Sequence, residues 1–192
     1  MRIPPDFEER TKPLLNDDWA AFLSALQQDA PTSIRLNTAK RGDSLLYDRV
    51  KWSDNGYYLN TRPQFTFDPV FHAGGYYVQE ASSMFIEQAI RQYVGENVKF
   101  LDLCAAPGGK STLVASLLSS DSLLVSNEVV RSRANILAEN MTKWGYPNII
   151  VSNNDPSKIG QLDNFFDAIL IDAPCSGEGM FRKDDGAIRE WS

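Results

Sequence analysis

The stretch Val98–Thr112 reads V-K-F-L-D-L-C-A-A-P-G-G-K-S-T and joins an apolar segment, a turn of small residues and a helix start. The apolar segment predicts a buried strand that ends at Leu103. The Ala-Ala-Pro-Gly-Gly turn at 105–109 then interrupts the strand, and a helix begins at Lys110. Small residues let a ligand approach the backbone closely, and the free N–H groups of a helix's first turn bind polar or anionic atoms. The sequence therefore predicts a ligand site at this turn.

Two kinds of nucleotide site use such a turn. A triphosphate P-loop has the pattern G-x-x-x-x-G-K-[ST], and Gly109, Lys110 and Ser111 fit its second half. The first glycine of that pattern would fall on Cys104, whose side chain would crowd a phosphate group. The other kind is the first strand–helix turn of a nucleotide-binding α/β sheet, which has an acidic residue at the end of the next strand. Glu128 ends the next apolar stretch, so this second interpretation is favoured over an ATPase.

The composition is that of an ordinary globular protein. The chain has 192 residues, 43% of them hydrophobic, and a formal net charge of -6. The negative charge argues against bulk electrostatic binding of nucleic acid, although a local basic patch would be compatible with it. No apolar run approaches the length of a membrane span, and two cysteines make no disulfide framework. We expect a reduced, cytoplasmic protein.

The first third of the chain predicts a small α+β unit without a catalytic constellation. Apolar residues at helical spacing continue to about Gln28, and Asp17 or Asp18 is the expected cap of a second helix. Residues 33–37 alternate like a half-buried strand. The Asp-Asn-Gly turn at 54–56 and the tyrosines after it suggest a hairpin arm.

The next segments give weaker signals. Residues 45–52 fit a helix or a strand equally well. Residues 65–79 are aromatic and contain glycines, which suggests a linker, and 80–93 have helical spacing. His72 is the only histidine, and we expect a structural role because no acid–base partner is identifiable beside it.

From Lys99 onward, predicted strands and helices alternate. The pattern predicts a parallel sheet with right-handed crossovers, whose ligands bind at the carboxyl ends of the strands. The strands are expected to end near Leu103, Glu128, Val151 and Asp172. A helix is expected at about 109–119, and a second helix after Glu128, which Gly145 closes, presents on one face Ala134, Leu137, Met141 and Trp144. Four acidic residues lie at or just past strand ends: Asp102, Glu128, Asp155 and Asp172. For each one alone, helix capping or loop solvation is the alternative role.

A second chemically distinctive stretch, D-A-P-C-S-G-E-G-M-F-R at 172–182, follows the fourth predicted strand. Its Pro-Cys dipeptide would present the thiol of Cys175 at the ligand-binding edge, whereas a buried structural cysteine is the alternative. A thiolate suits one reaction in particular. Carbon 5 of cytosine becomes nucleophilic enough for methylation only after a thiolate adds to carbon 6, which is covalent catalysis.

These two stretches resemble the cofactor-binding and Pro-Cys motifs of the NOL1/NOP2/Sun family of RNA cytosine-C5 methyltransferases. The segments H-A-G-G-Y-Y-V-Q-E-A-S-S-M (72–84) and S-I-R-L-N-T (33–38) are also similar to motifs of that family. The resemblance spans most of the chain. The run G-E-G-M-F-R-K (177–183) looks most like the bacterial 16S ribosomal RNA branch.

The resemblance implies a Rossmann-like class I methyltransferase sheet that binds S-adenosyl-L-methionine. It implies an N-terminal α+β domain at 1–67, similar to RNA-binding domains, and the first part of the catalytic domain at 68–192. The turn would wrap the methionine part of the cofactor, with the ribose at Glu128, the adenine near Asp155, and Asp172 at the junction with the target base. The implied cofactor-binding residues are Cys104, Ala105, Ala106, Pro107, Gly108, Gly109, Lys110, Glu128, Asp155 and Asp172. RNA, in particular 16S rRNA or the small ribosomal subunit, is the implied partner, without a metal or a membrane.

Family members use two cysteines. The resemblance implies that Cys175 is the one that assists product release. The family's nucleophile lies in a Thr-Cys motif, which the chain does not contain. We therefore expect the chain to be a fragment whose fourth strand has an open outer edge, a feature that favours aggregation unless another chain covers it. Two alternatives stay open: a non-catalytic cofactor-binding fragment, and a DNA cytosine-C5 methyltransferase that uses Cys175 as its nucleophile.

Overall fold

The computed structural model describes residues 3–41 and 46–191, which form two compact units. The smaller unit holds the described residues before Thr32 and after Ala173, and the larger unit is Thr32–Ala173. The two units differ from the domains expected from the sequence, because the smaller one combines both ends of the chain. The expected boundary between residues 67 and 68 stays a prediction.

The smaller unit is helical. It contains α1 (Pro5–Leu15), α2 (Trp19–Leu26) and a short C-terminal helix, Asp185–Glu190. Its core is aromatic, and the rings of Phe7 and Phe181 meet edge to face with centroids 5.1 Å apart. The expected side-chain cap of α2 is wrong. A 3-10 turn, Asn16–Asp18, leads into α2 with helical backbone at Asp18, so the side chain of Asp18 makes no capping hydrogen bond.

The larger unit begins with an antiparallel sheet of β1 (Thr32–Leu36), β2 (Gly56–Leu59) and β3 (Tyr76–Val78), in the order β2-β1-β3. The segment 65–79 is therefore more than a linker. It contains a 3-10 turn, the short helix α3 (Pro69–His72) and β3, because its aromatic side chains pack on the buried residues of β1. Of residues 45–52, Leu45 lies outside the described residues, and Arg49 makes an isolated bridge to Tyr57.

His72 has a structural contact, as expected. It ends α3, is exposed, and its Nε2 lies 2.9 Å from the carbonyl oxygen of Thr66, which can accept a hydrogen bond from it. That contact closes the turn between the 3-10 segment and α3.

A four-stranded parallel sheet forms the rest of the larger unit, and it confirms the predicted α/β class. After α4 (Ile86–Tyr93) come β4 (Lys99–Asp102), α5 (Gly109–Leu117), β5 (Leu123–Asn127), α6 (Arg131–Trp144), β6 (Ile149–Ser152), α7 (Pro156–Ile159) and β7 (Ala168–Leu170). The strand order is β6-β5-β4-β7, with every neighbouring pair parallel. The fourth strand is shorter than the sequence suggested.

One face of this sheet carries the main core. The pairing register aligns Ile149, Leu124, Phe100 and Ala168 in a row across all four strands. These side chains pack with residues of α5 and α6. The four residues predicted for the inner face of α6 are all buried, and Gly145 ends the helix with φ 87°. A left-handed φ there is accessible to glycine at little cost.

The far edge of the sheet is open within the described residues. The strand order puts β7 at the end of the sheet, where it pairs only with β4. Ile169 and Ile171 are 55% and 61% exposed, so this edge is also apolar. Across the described part of the chain, none of the helices is both long enough and apolar enough to span a bilayer.

Candidate functional site

The small-residue turn is the backbone of the candidate site. It leaves β4 at its carboxyl end, and the amide of Ala105 donates to the carbonyl of Asn127, 2.8 Å away, which ties it to β5. Gly108 has φ 112°, a value that side-chain-bearing residues rarely adopt, and it places the chain at the start of α5. The first intrahelical bond runs from the Thr112 amide to the Gly108 carbonyl, at 2.8 Å. The three amides before Thr112 therefore lack an intrahelical acceptor, and two of these residues, Gly109 and Lys110, line the cleft described below.

Helix α6 holds the other side of the turn. Arg133 Nη2 donates to the Ala106 carbonyl at 2.8 Å, and Asn140 Nδ2 donates to the Pro107 carbonyl at 2.7 Å. Both contacts use carbonyl oxygens of the turn. They fix its conformation without using its amides.

Arg35 supports the turn from the antiparallel sheet. It is 2% exposed, and its Nη2 donates to Thr112 Oγ1 at 2.6 Å and to the Gly109 carbonyl at 3.3 Å. Its guanidinium also lies over the Trp144 ring, 4.7 Å from the centroid. Burial lowers the pKa of Arg35 to about 9, so the side chain is still charged at neutral pH. A buried arginine therefore connects β1 to the first turn of α5.

A cleft of about 190 Å³ opens beside the turn. One wall is the turn with the end of β4, and the other is the segment from β3 towards α4. Its lining consists of Tyr77, Val78, Gln79, Glu80, Ser83, Asp102, Cys104, Ala105, Ala106, Pro107, Gly109, Lys110 and Asp172. Six of the residues expected to bind a cofactor thus lie on the wall formed by the turn, namely Cys104, Ala105, Ala106, Pro107, Gly109 and Lys110.

Asp102 is the most buried carboxylate of the cleft. It is 1% exposed, and its Oδ2 accepts a hydrogen bond from Ser111 Oγ at 2.6 Å. Its Oδ1 is buried and has no hydrogen-bond partner among the described residues. Burial raises its pKa from 3.8 to about 6, against the opposing effects of the Ser111 hydrogen bond and of nearby Lys110. At neutral pH the cleft thus contains a desolvated carboxylate with one oxygen that lacks a donor.

Lys110 and Asp172 form an ion pair across the cleft. Lys110 comes from the first turn of α5, and Asp172 follows β7, so the pair connects the turn to the carboxyl end of β7. Cys104 lies close to this pair. Burial raises the pKa of its thiol, and the carboxylates of Glu128, Asp102 and Asp172 add to that effect, so Cys104 is not an activated nucleophile.

Glu128 lies at the end of β5, as the sequence predicted. It is 2% exposed, and its Oε1 accepts from the Val130 amide at 3.0 Å. Its Oε2 is 3.4 Å from Arg133 Nη1 but has no partner with hydrogen-bond geometry in the described parts of the chain. One oxygen is therefore fixed by the backbone, and the other is free to accept from a hydroxyl group.

The two remaining predicted residues are both exposed. Asp155 caps α7, and its side chain accepts from the Ser157 amide at 2.8 Å and from the Ser157 hydroxyl at 2.6 Å. These hydrogen bonds lower the pKa of Asp155. Capping, the alternative weighed from the sequence, therefore accounts for its contacts. Cys175 is an exposed free thiol in the smaller compact unit.

Sequence reasoning missed Gln79, Arg35, Arg133 and Asn127. Asn127 ties three strand ends together, because its amide donates to the carbonyls of Leu103 and Asn154 at 3.3 and 2.9 Å. Its position directly before Glu128 was the available signal. Gln79 and Arg35 lie in segments assigned to a linker and to the N-terminal unit, so nothing in the local sequence placed them at the cleft.

A parallel sheet with the order β6-β5-β4-β7, a small-residue turn after β4 and buried acids at the strand ends define a class I methyltransferase domain. Residues 92–190 match the family described as 16S rRNA methyltransferase RsmB/F, and residues 3–81 match the N-terminal domain of 16S rRNA methyltransferase RsmF. The chain belongs to the 16S rRNA methyltransferase RsmB/F family.

Individual relatives agree with this assignment. The chain is 36% identical to ribosomal RNA small subunit methyltransferase F of Vibrio parahaemolyticus, over 99% of the chain and 43% of the relative. It is also 36% identical to the protein of that name in Aeromonas salmonicida, over 89% of the chain and 39% of the relative. The chain thus spans less than half the length of these curated relatives.

Solved structures show the same fold. A methyltransferase homologue from Pyrococcus horikoshii superposes with a TM-score of 0.78 at 29% identity, over 95% of this chain and 63% of the other. The structure of PH0851 gives a TM-score of 0.83 at 24% identity, over 99% of this chain and 45% of the other.

Proposed function

We propose that the whole protein methylates carbon 5 of a cytosine in RNA, with 16S rRNA as the substrate, and that this chain supplies the S-adenosyl-L-methionine site. The observation that carries the proposal is the cleft, where the start of α5 adjoins the buried carboxylate of Asp102, whose Oδ1 has no hydrogen-bond partner among the described residues. The family membership and the names of the relatives support the RNA substrate. We place the reaction in the cytoplasm.

The cleft fits the polar groups of S-adenosylmethionine. Its amino-acid part carries an ammonium and a carboxylate, and its ribose carries hydroxyl groups. Asp102 offers a buried acceptor for a cation, and the first turn of α5 offers amide donors for an anion. Glu128 offers an acceptor oxygen at the end of β5, where ribose hydroxyls bind in sheets of this kind. When bound, the cofactor supplies an electrophilic methyl group on a sulfonium centre.

The residues of the chain would bind and orient rather than attack. Asp102 and Glu128 are fixed by hydrogen bonds from Ser111 and from the Val130 amide, so their remaining oxygens need little reorganisation to accept a ligand. Lys110 holds the carboxylate of Asp172 at the edge of the cleft. We assign Asp172 to the junction with the target base, and Cys175 to product release, on the family pattern. Asp155 remains our proposed neighbour of the adenine.

The nucleophile of the family is the residue that the chain does not supply. The chain has two cysteines, one after Leu103 and one after Pro174, and neither belongs to a Thr-Cys motif. The pKa of Cys104 is raised rather than lowered. Because the motifs around Cys175 resemble those of the RNA family, we favour a cofactor-binding fragment over a DNA methyltransferase that uses Cys175.

We expect the 192-residue chain to bind S-adenosylhomocysteine and to transfer no methyl group to RNA. Calorimetry at pH 7.5 measures the binding, and incubation with tritiated S-adenosylmethionine and undermethylated small-subunit RNA measures the transfer. Cys175→Ser serves as the control in both assays. Absence of heat at high protein concentration would contradict the cofactor site. Robust incorporation that is lost in Cys175→Ser would instead favour Cys175 as the nucleophile.

A further inference from the structure

The side chain of Gln79 is held in one orientation by Arg35. Arg35 Nε donates to Gln79 Oε1 at 2.8 Å. An arginine has only donors, so the atom that faces it has to be the amide oxygen, and the position of the Gln79 nitrogen follows from chemistry alone. That nitrogen, Nε2, is buried and has no hydrogen-bond partner anywhere in residues 3–41 and 46–191.

The backbone of Gln79 is equally well fixed. Its amide donates to the Ser33 carbonyl at 3.2 Å, and its carbonyl accepts from Ser33 Oγ at 2.6 Å. The residue is 6% exposed. Residues of β1 therefore position both the backbone of Gln79, through Ser33, and its side-chain amide, through Arg35.

The unpartnered nitrogen lies at the N-terminus of α5. Gln79 lines the cleft, and a methyl group built on Gly109 would lie 3.7 Å from Gln79 Nε2. The first turn of α5 and the Gln79 amide thus lie close together on facing walls of the cleft. A ligand acceptor that reaches one is close to the other.

We propose that Gln79 is a ligand-binding residue whose Nε2 donates to the carboxylate in the amino-acid part of the cofactor, with Arg35 as its positioning residue. The inference rests on the proposed function. A carboxylate suits this place because it can accept from the helix amides and from Gln79 together. Asp102 Oδ1, on the same cleft, then faces the ammonium of the same amino-acid group. The cleft would thus recognise a zwitterion by two buried side chains of opposite hydrogen-bonding character.

Binding of two ligands to two Gln79 variants tests the proposal. Gln79→Leu keeps the approximate size and removes the donor, and Gln79→Glu replaces the donor by an acceptor with negative charge. Calorimetry compares S-adenosylhomocysteine with its decarboxylated analogue, which lacks only the carboxylate. We expect Gln79→Leu to weaken the binding of S-adenosylhomocysteine about 10-fold and Gln79→Glu to weaken it further, while the analogue binds each variant within about twofold of the wild type.

The control is Gln161→Leu, the same substitution at an exposed glutamine, which should leave both affinities unchanged. Equal losses for both ligands in the Gln79 variants would mean a structural role and would overturn the inference. Unchanged affinity of both variants for S-adenosylhomocysteine would overturn it too. A wild-type chain that binds neither ligand would refute the proposed function and this inference together, whereas normal wild-type binding without a ligand-selective loss refutes only the inference.

The positioning role of Arg35 is tested with Arg35→Lys. Lysine keeps the charge but lacks the planar fork that contacts Gln79 and Thr112 at once. We expect a selective loss for S-adenosylhomocysteine over the analogue, as in Gln79→Leu, and no further selective loss when the two substitutions are combined. Additive selective losses in the double variant would show that the two residues act independently.

Discussion

Replacement of Asp102 by asparagine is expected to stabilise the folded chain by about 1 to 2 kcal/mol at pH 7.5 and to weaken its binding of S-adenosylhomocysteine by roughly 10- to 100-fold. The carboxylate is 1% exposed, and burial of its charge is unfavourable. Asparagine removes the charge and keeps an oxygen for the Ser111 hydroxyl. It also removes the charged acceptor that we assign to the ligand's ammonium. Urea unfolding and calorimetry on the same samples measure the two effects.

The pH dependence of stability separates this explanation from a simple packing effect. Folding raises the pKa of Asp102 from 3.8 to about 6, so the folded chain binds more protons than the unfolded chain between these values. The contribution of Asp102 to stability is therefore present below about pH 4 and is lost as the pH rises to 6. The stability difference between Asp102→Asn and wild type should grow in favour of the variant over this window and stay constant above it.

Asp121→Asn is the matched control, because it removes an exposed carboxylate. It should change the free energy of unfolding by less than about 0.5 kcal/mol and leave the affinity unchanged. A stability difference at Asp102 that is flat between pH 4 and 7 would contradict the assignment of the raised pKa. An Asp102→Asn variant that binds the ligand as tightly as wild type would remove Asp102 from the site. A variant that is more stable but binds more weakly would show that the wild-type chain keeps this buried charge for binding, at the expense of stability.

The α/β half of the fold could be predicted from the sequence because its signals are local. A strand of four or five residues, a turn and an amphipathic helix each occupy a short stretch, and the crossover rule then makes the sheet parallel. The acidic residues at the strand ends follow from the same logic. Asp102 and Glu128 are at the predicted edge because each directly ends a strand or follows one.

The contacts between the antiparallel sheet and the cleft could not be predicted in this way. Arg35 reaches Gln79 across 44 residues and Thr112 across 77 residues of sequence. None of these three residues lies in a local sequence pattern that predicts so distant a contact. The aromatic run at 65–79 was equally ambiguous, because β3 has three residues and its identity as a strand depends on pairing with β1.

Asp155 shows what the position of a carboxylate in the sequence does not decide. Asp155 follows β6 as predicted, but its hydrogen bonds go to its own helix α7. The sequence could place it at the strand ends and could not decide between capping and ligand binding. The role of such a carboxylate depends on which polar groups the fold brings within reach. Ser157 supplies two donors to Asp155, its amide and its hydroxyl.

Replacement of Gly74 by alanine is expected to lower the free energy of unfolding by about 3 to 5 kcal/mol. Gly74 has φ 72°, and a β-carbon at this position would lie 2.1 Å from the carbonyl oxygen of Lys143. The two nearest atoms belong to the backbone at the C-terminal end of α6, so they cannot move aside as a flexible side chain would. The Gly74 carbonyl also accepts from Asn37 Nδ2 at 2.9 Å, and Asn37 Nδ2 donates to the Trp144 carbonyl at 2.8 Å. A shift of the loop would therefore break the connection between β1 and the end of α6 as well.

Two further glycines separate the causes of this loss. Gly177 has φ 76° with no atom within 4 Å of a built β-carbon, so Gly177→Ala measures the left-handed backbone alone, at about 1 to 2 kcal/mol. Gly95 has neither a positive φ nor a close neighbour, and Gly95→Ala should change stability by less than about 1 kcal/mol. The difference between the losses of unfolding free energy in Gly74→Ala and Gly177→Ala then measures the clash with α6. Urea unfolding of the three variants provides the numbers, and equal losses at Gly74 and Gly177 would show that α6 yields to the added methyl group. Such a yielding helix would also shift Arg133 and Asn140, so a weakened affinity for S-adenosylhomocysteine in Gly74→Ala would reveal it.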